Sequence, residues 1–173
     1  MSQGQEVCFE EASRADAKGL LDLMMAVTAE TDFITKNDDE IWSVEDMAAF
    51  IDLSSMRENR LCLLAKLGQE VIGVLNVDAQ WQDSSRHIGD VFIAVRKSYW
   101  DHGLGQTLLD EAIYWAEQTG IIRRLELSVQ KRNERAVHIY EKFGFEIEGV
   151  QKRGARTKDG EFLDVYRMGK LID

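Results

Sequence analysis

The chain of 173 residues contains no proline, only two cysteines and only three histidines. Without proline, glycine and short polar residues have to mark the turns. Cys8 and Cys62 each lie in an alternating apolar stretch, and neither stands at metal-ligand spacing from His87, His102 or His138. No disulfide framework or zinc site is therefore written into the chain, no metal is expected, and both thiols read as buried strand residues. Long apolar runs are also missing: none approaches the ~18–20 residues that cross a bilayer, and Met1 is not followed by a basic flank and an apolar stretch. A cytoplasmic protein without a membrane segment is expected.

An excess of positive charge is absent too. The formal net charge is −10, which excludes an electrostatically driven nucleic-acid binder, because phosphate recognition needs a basic surface. The imbalance is local. Residues 1–50 carry 12 acidic against 3 basic side chains, whereas residues 51–173 carry 19 against 18. This pattern describes either a solvated acidic pair of helices or a field that draws in cationic amines and leaves the second half free to hold an anion. Apolar residues make up 45% and charged residues 30%, the balance of an ordinary globular chain, and the length suits one domain over 1–173.

Periodicity then gives the elements. Val7 to Glu11 alternates as a strand, and Ala17–Ala29 repeats Leu20, Leu21, Met24 and Val27 at helical spacing. Glu30 to Trp42 is acidic and aperiodic, a loop. Ser43-Val44-Glu45-Asp46 resembles a capping box opening a helix to about Met56. Arg60–Leu67, Glu70–Gln80 and His87–Val95 read as an antiparallel meander. Gly105 to Thr119 forms a third helix with Gly120 as its stop, Arg123–Gln130 a strand and Glu134–Phe143 a fourth helix. Phe145–Arg153 and Phe162–Leu171 form a hairpin turned at Lys158-Asp159-Gly160. The order β-α-α-β-β-β-α-β-α-β-β predicts an α/β (α+β) fold.

Chemistry concentrates after the apolar strand Val91-Phe92-Ile93-Ala94-Val95. The segment Arg96 to Gly105 brings Gly103 and Gly105 to the start of a helix. Free backbone N–H groups and the helix dipole there favour an anion, and glycine lets the main chain come close to it. A pyrophosphate suits such a place, although Gly-x-Gly alone also fits a bare turn.

The spacing from Val95 to Gly103 and Gly105 resembles motif A of the GNAT superfamily of N-acetyltransferases, R/Q-x-x-G-x-G/A. Leu127-Ser128-Val129, Asn133, Ala136, Tyr140 and Gly144-Phe145 resemble the family's second signature. Together the matches span roughly residues 87–169. Trp100 stands where the general motif has Arg or Gln, and a Tyr-Trp pair there is similar to the ribosomal-protein acetyltransferase branch.

The resemblance implies a mixed, mostly antiparallel sheet of about seven strands with four helices, its fourth and fifth strands splayed apart. It also implies acetyl-CoA as co-substrate and an amine acceptor, either a small molecule or a protein N-terminus, with a homodimer as a common assembly. Cofactor contacts are expected from Ile93, Ala94, Val95, Trp100, Asp101, His102, Gly103, Leu104, Gly105, Gln106, Asn133, Ala136 and Tyr140. Tyr140 is the expected acid beside the coenzyme sulfur, or else a core aromatic; Asn133 binds the pantetheine arm, caps the next helix, or both.

Asp90 is the candidate base, since a carboxylate in an apolar strand needs a reason to be there. The other reading is a salt bridge to Arg86 or Arg124. Glu126 is the second candidate base, and Glu30 and Asp32 either meet the acceptor's positive charge or sit in a solvated loop. Arg96, Lys97, His102, Arg132 and Arg135 together are placed to neutralise phosphates. A coenzyme-binding module without catalysis on the same scaffold is the rival reading.

Overall fold

The computed structural model describes residues 6–34 and 42–173. The first five residues and part of the acidic loop, including Asp38, Asp39 and Glu40, lie outside the described residues. In chain order the elements are β1 (Val7–Glu11), α1 (Ala17–Glu30), α2 (Val44–Met56), β2 (Leu61–Leu67), β3 (Glu70–Ala79) and β4 (Ile88–Val95). They are followed by α3 (Leu104–Thr119), β5 (Arg124–Gln130), α4 (Glu134–Lys142), β6 (Glu146–Arg156) and β7 (Phe162–Leu171). The expected order is found, and β6 runs three residues past the expected Arg153.

The strands form one sheet in the order β1-β2-β3-β4-β5-β7-β6. Every neighbouring pair is antiparallel except β4 and β5. Alternation along each strand sends side chains to opposite faces. Leu61, Leu63 and Ala65 of β2 join Leu108, Leu109 and Ala112 of α3 and Val137 of α4 in one core, while Cys62 and Leu64 join Leu20, Leu23 and Val27 of α1 and Ile51 of α2 in the other. Burying a leucine completely contributes roughly 1.5–3 kcal/mol, so α3, which buries Leu108 and Leu109 in full, is held mainly by this stripe. α2 begins as expected: the Ser43 hydroxyl accepts from the Asp46 amide at 3.1 Å and the Asp46 carboxylate from the Ser43 amide at 3.0 Å. α3 ends at Gly120, whose φ of 68° is the left-handed conformation that glycine adopts without strain.

One expectation about the thiols is corrected. Cys62 is buried, but Cys8 is exposed. β1 is an edge strand, and the pleat that turns Val7 and Phe9 toward the core turns Cys8 outward, opposite Lys66. Both cysteines are free. No helix among the described residues is long and apolar enough to cross a membrane.

Candidate active site

β4 and β5 are joined by three register pairs only, Ile88 with Arg124, Gly89 with Leu125 and Asp90 with Glu126. Beyond them the strands separate, because β5 takes its only continuing partner in β7 while β4 stays paired with β3 up to Val95. The gap is a cleft of about 790 Å³. Its backbone polarity follows from two bonds. The Arg96 amide donates to the Ile72 carbonyl at 2.9 Å, and the Trp100 indole donates to the Val95 carbonyl at 2.7 Å. Even-numbered positions at this end of β4 therefore give their main-chain groups to β3, and the alternation of an antiparallel ladder turns those of Ile93 and Val95 into the gap.

One end of the cleft is the loop into α3. Asp101 and Gly103 both have positive φ, 69° and 77°, a local twist that curls successive amides toward one point. Among the described residues, the N–H groups of Gly103, Leu104, Gly105 and Gln106 have no protein acceptor; the first bond of the helix is from Thr107 to the Gly103 carbonyl. Four free donors at a helix N-terminus make an anion cradle. Trp100 stabilises it from below. Besides its bond to Val95, its ring carries the Arg135 guanidinium 5.8 Å from the ring centre, and Arg135 pairs with Asp101 at 2.7 Å. The tryptophan in place of Arg or Gln thus pins the loop to β4 and offers the anion no positive charge.

Of the residues expected to hold the cofactor, Ile93, Ala94 and Val95 form the β4 wall of the cleft. Trp100, Asp101, Gly103, Leu104, Gly105 and Gln106 form the loop end, and Asn133, Ala136 and Tyr140 form the α4 wall. His102 is exposed and outside that wall. The Asn133 side chain accepts from the Ala136 amide at 3.3 Å, so it caps α4 while lining the cleft. Tyr140 is 8% exposed and packs its ring on Phe145 with centres 5.9 Å apart. Its hydroxyl has no hydrogen-bond partner among the described residues, and burial pushes the phenol well above its ordinary range. It stays protonated at neutral pH, which suits a proton donor.

Asp90 stands at the apex where the strands part, outside the cleft wall, on the face that carries α1 and α2. It is in register with Asp78 of β3 on one side and Glu126 of β5 on the other. Loss of solvent raises its carboxyl above the usual range; the negative charges of Glu126 and Asp78 add to this, and Arg167 opposes it. The expected salt bridge is not formed. Arg124 is held by Glu126 at 3.0 Å and by Glu148, and Arg86 lies near Asp83. Glu126 therefore has its own counter-ion, and Asp90 has none among the described residues.

The start of the α1–α2 connection crosses the open end of the gap. Glu30 accepts from Arg96 at 3.0 Å and from the Lys97 amide at 2.9 Å, tying the strap to β4. Gln130, buried at the end of β5, donates to the Asp32 carbonyl at 2.8 Å and accepts from Arg132, which lies 5.3 Å over the ring of Phe33. Thr31, Phe33 and Ile34 line the cleft as a result. Glu30 is an anchor, and Asp32 contributes its carbonyl while the residue is exposed. The basic cluster divides likewise: Arg96, Arg132 and Arg135 are engaged within the protein. Gln130, Phe33, Ile34 and Arg167 were not singled out by the sequence, and Ser128 only as part of the second signature. No local signal marked Gln130, because β5 alternates Arg124, Glu126, Ser128 and Gln130 with Leu125, Leu127 and Val129.

A sheet parted between its one parallel pair, with an amide cradle at the mouth, matches known proteins. The model of the Acetyltransferase (GNAT) family matches residues 24–145. The chain belongs to the GNAT acetyltransferase family. A curated relative, the L-amino acid N-acetyltransferase AaaT of Escherichia coli (strain K12), is 33% identical over 109 residues, 63% of this chain and 67% of the relative. The crystal structure of a GNAT-family acetyltransferase from Streptococcus pneumoniae is 46% identical, with a TM-score of 0.93 over 96% of this GNAT chain and all of the other. The Salmonella typhimurium protein yncA, solved with acetyl-CoA, shares the fold at 18% identity with a TM-score of 0.85, covering 97% of this chain and 95% of its own.

Proposed function

We propose that the protein is an N-acetyltransferase that moves the acetyl group of acetyl-CoA directly onto a primary amine in a ternary complex. The observation that carries this reading is the run of four free amides at the α3 N-terminus, opening onto a cleft whose opposite wall holds the Tyr140 hydroxyl. The amides would take the pyrophosphate, and the main-chain groups of Ile93 and Val95 would align the thioester. The pantetheine arm would lie between the β4 and α4 walls, with Asn133 and Ala136 beside it.

An alkylammonium with a pKa near ~10 must lose a proton before it can attack. Asp90, whose carboxyl is raised by loss of solvent and by the negative charges of Glu126 and Asp78, takes that proton through a water molecule, since it stands outside the cleft wall. The neutral amine attacks the thioester carbon, the carbon–sulfur bond breaks, Tyr140 protonates the departing thiolate, and the second proton that the nitrogen sheds on becoming an amide restores the neutral phenol. Amide and free thiol leave. No cysteine takes part: Cys62 lies in the core with its pKa pushed up to about 12, chiefly by burial.

The acceptor is either a small amine, such as the amino acid that gives the E. coli relative its name, or a protein N-terminus. The test is incubation with acetyl-CoA and a panel of amines, following free thiol and product mass. Acetylated product with stoichiometric thiol is expected. Coenzyme binding without product from any amine would establish the non-catalytic module instead.

A further inference from the structure

An ion pair spans the mouth of the cleft. Asp101, in the loop from β4 to α3, pairs at 2.7 Å with Arg135, on the first turn of α4, and both residues line the cleft. A pair this open to water is weak, because solvent screens both charges; the Asp101 side chain is 82% exposed. The arginine is nevertheless kept in place from two sides. Its guanidinium lies over the ring of Trp100, itself bonded to the Val95 carbonyl, and Asn133 caps α4 two residues before it. Asp101 carries the wrong sign for its position. It stands two residues before Gly103, the first of the four free amides, where a carboxylate opposes any arriving anion. Among the described residues, Arg132 is the other arginine on the cleft wall, and it is engaged with Gln130 and Phe33. Lys97 and His102 stand outside that wall.

We infer that Arg135 is a phosphate clamp that Asp101 holds in reserve: on binding of the coenzyme the guanidinium leaves Asp101 for the 3′-phosphate of the ribose. The four amides are taken by the diphosphate, and the pantetheine arm runs inward to Tyr140. The adenosine end therefore lies outside the cradle, at the mouth, where Arg135 stands. A guanidinium gains more from a phosphate dianion than from one exposed carboxylate, since its fork of N–H donors meets two oxygens and a larger charge. Asp101 is then left solvated. Arg135 becomes the residue that distinguishes the complete coenzyme from one lacking that phosphate, and Asp101 the counter-ion that restrains binding until the exchange occurs. The inference rests on the coenzyme site proposed above and deepens it.

Calorimetric titration with coenzyme A and with 3′-dephospho-coenzyme A, which differ only in that phosphate, tests the exchange without any acceptor. Wild type is expected to bind coenzyme A on the order of 10-fold more tightly. Arg135→Met, which keeps a good helix former on α4, abolishes the preference by weakening coenzyme A alone, and Arg135→Lys restores part of it. Asp101→Asn keeps the loop, because asparagine tolerates the φ of 69° found there. It frees the guanidinium and tightens coenzyme A by about two- to fivefold. A carboxylate that merely repelled phosphate would give the same gain in an Arg135→Met background; one that holds the arginine gives none in the double variant. Equal binding of the two coenzymes by wild type, or a preference that survives Arg135→Met, would overturn the inference and leave the transferase standing. So would an Asp101→Asn variant with no gain, or with a gain that the double variant retains. The wild-type comparison needs no variant to fold. Binding of neither coenzyme would remove the transfer reading and this inference with it.

Discussion

Replacing Tyr140 with phenylalanine removes one oxygen from the wall of the cleft and little else. The hydroxyl bonds to no protein group among the described residues, so its loss leaves no donor or acceptor unsatisfied; the ring remains to pack on Phe145. The fold should therefore change in stability by less than about 1 kcal/mol, within the scatter of conservative substitutions. Catalysis should respond differently. A positioned proton donor is worth about 10²–10⁴ in rate, or roughly 2.7–5.4 kcal/mol at ~1.36 kcal/mol per decade. Turnover is expected to fall by at least about 10²-fold, with calorimetric affinity for acetyl-CoA and thermal midpoint unchanged. Initial rates of thiol release at saturation in both substrates give the first quantity. Turnover within about threefold of wild type, in a variant that binds acetyl-CoA normally, would mean that the thiolate leaves unaided and that Tyr140 is only a core aromatic.

Asp90→Asn tests the apex. A carboxyl whose folded pKa lies above its unfolded value near ~3.9 favours the fold while protonated, and that contribution disappears as pH rises through the folded value. The variant should therefore melt above wild type at pH 7, converge with it below about pH 4, and lose the acid limb of the kcat/KM profile. A lower melting point at pH 7 would contradict the direction assigned to this carboxyl. Gly89→Ala places a methyl 2.5 Å from Val77 Cγ1 and 3.1 Å from Leu125 Cδ2; overpacking of this kind costs about 1–3 kcal/mol and should lower Tm by roughly 3–10 °C, which a melting curve checks. The thiols should react with a thiol reagent in two classes: the exposed Cys8 in the native protein, and Cys62, buried with its pKa pushed up to about 12, only after unfolding. Two fast thiols in the native state would contradict the burial of Cys62.

The elements were legible because each is signalled locally. α1 shows its stripe, Ser43 and Asp46 announce α2, and Gly120 announces the end of α3. The anion cradle was legible because glycine spacing after an apolar strand is also local, and the loop from Trp100 to Gln106 lines the cleft with the exception of His102. What the sequence did not yield depends on partners distant along the chain. Arg124 was a candidate for Asp90, but pairs with Glu126 and, across β7, with Glu148 on β6, a strand brought within reach only by the order β5-β7-β6. Glu30 was a candidate for the acceptor and is instead a brace for β4, because α1 ends beside Arg96. Arg167 drew no attention within an ordinary hairpin strand. Cys8 follows the same alternation as its neighbours, and alternation alone does not say which face of an edge strand is covered.

The short seam between β4 and β5 has a mechanical consequence. The sheet is two leaves, β1 to β4 and β5 to β7 with β6, stitched through three residues on each side. A molecule lodged between the walls above that stitch touches both leaves at once and acts as a splint. Occupancy should then slow amide exchange at residues 88–90 and 124–126, below any direct contact, as well as in the cradle itself. The resting protein would flex along a line that runs through Asp90, so the stiffness of the whole sheet would report whether the co-substrate is aboard.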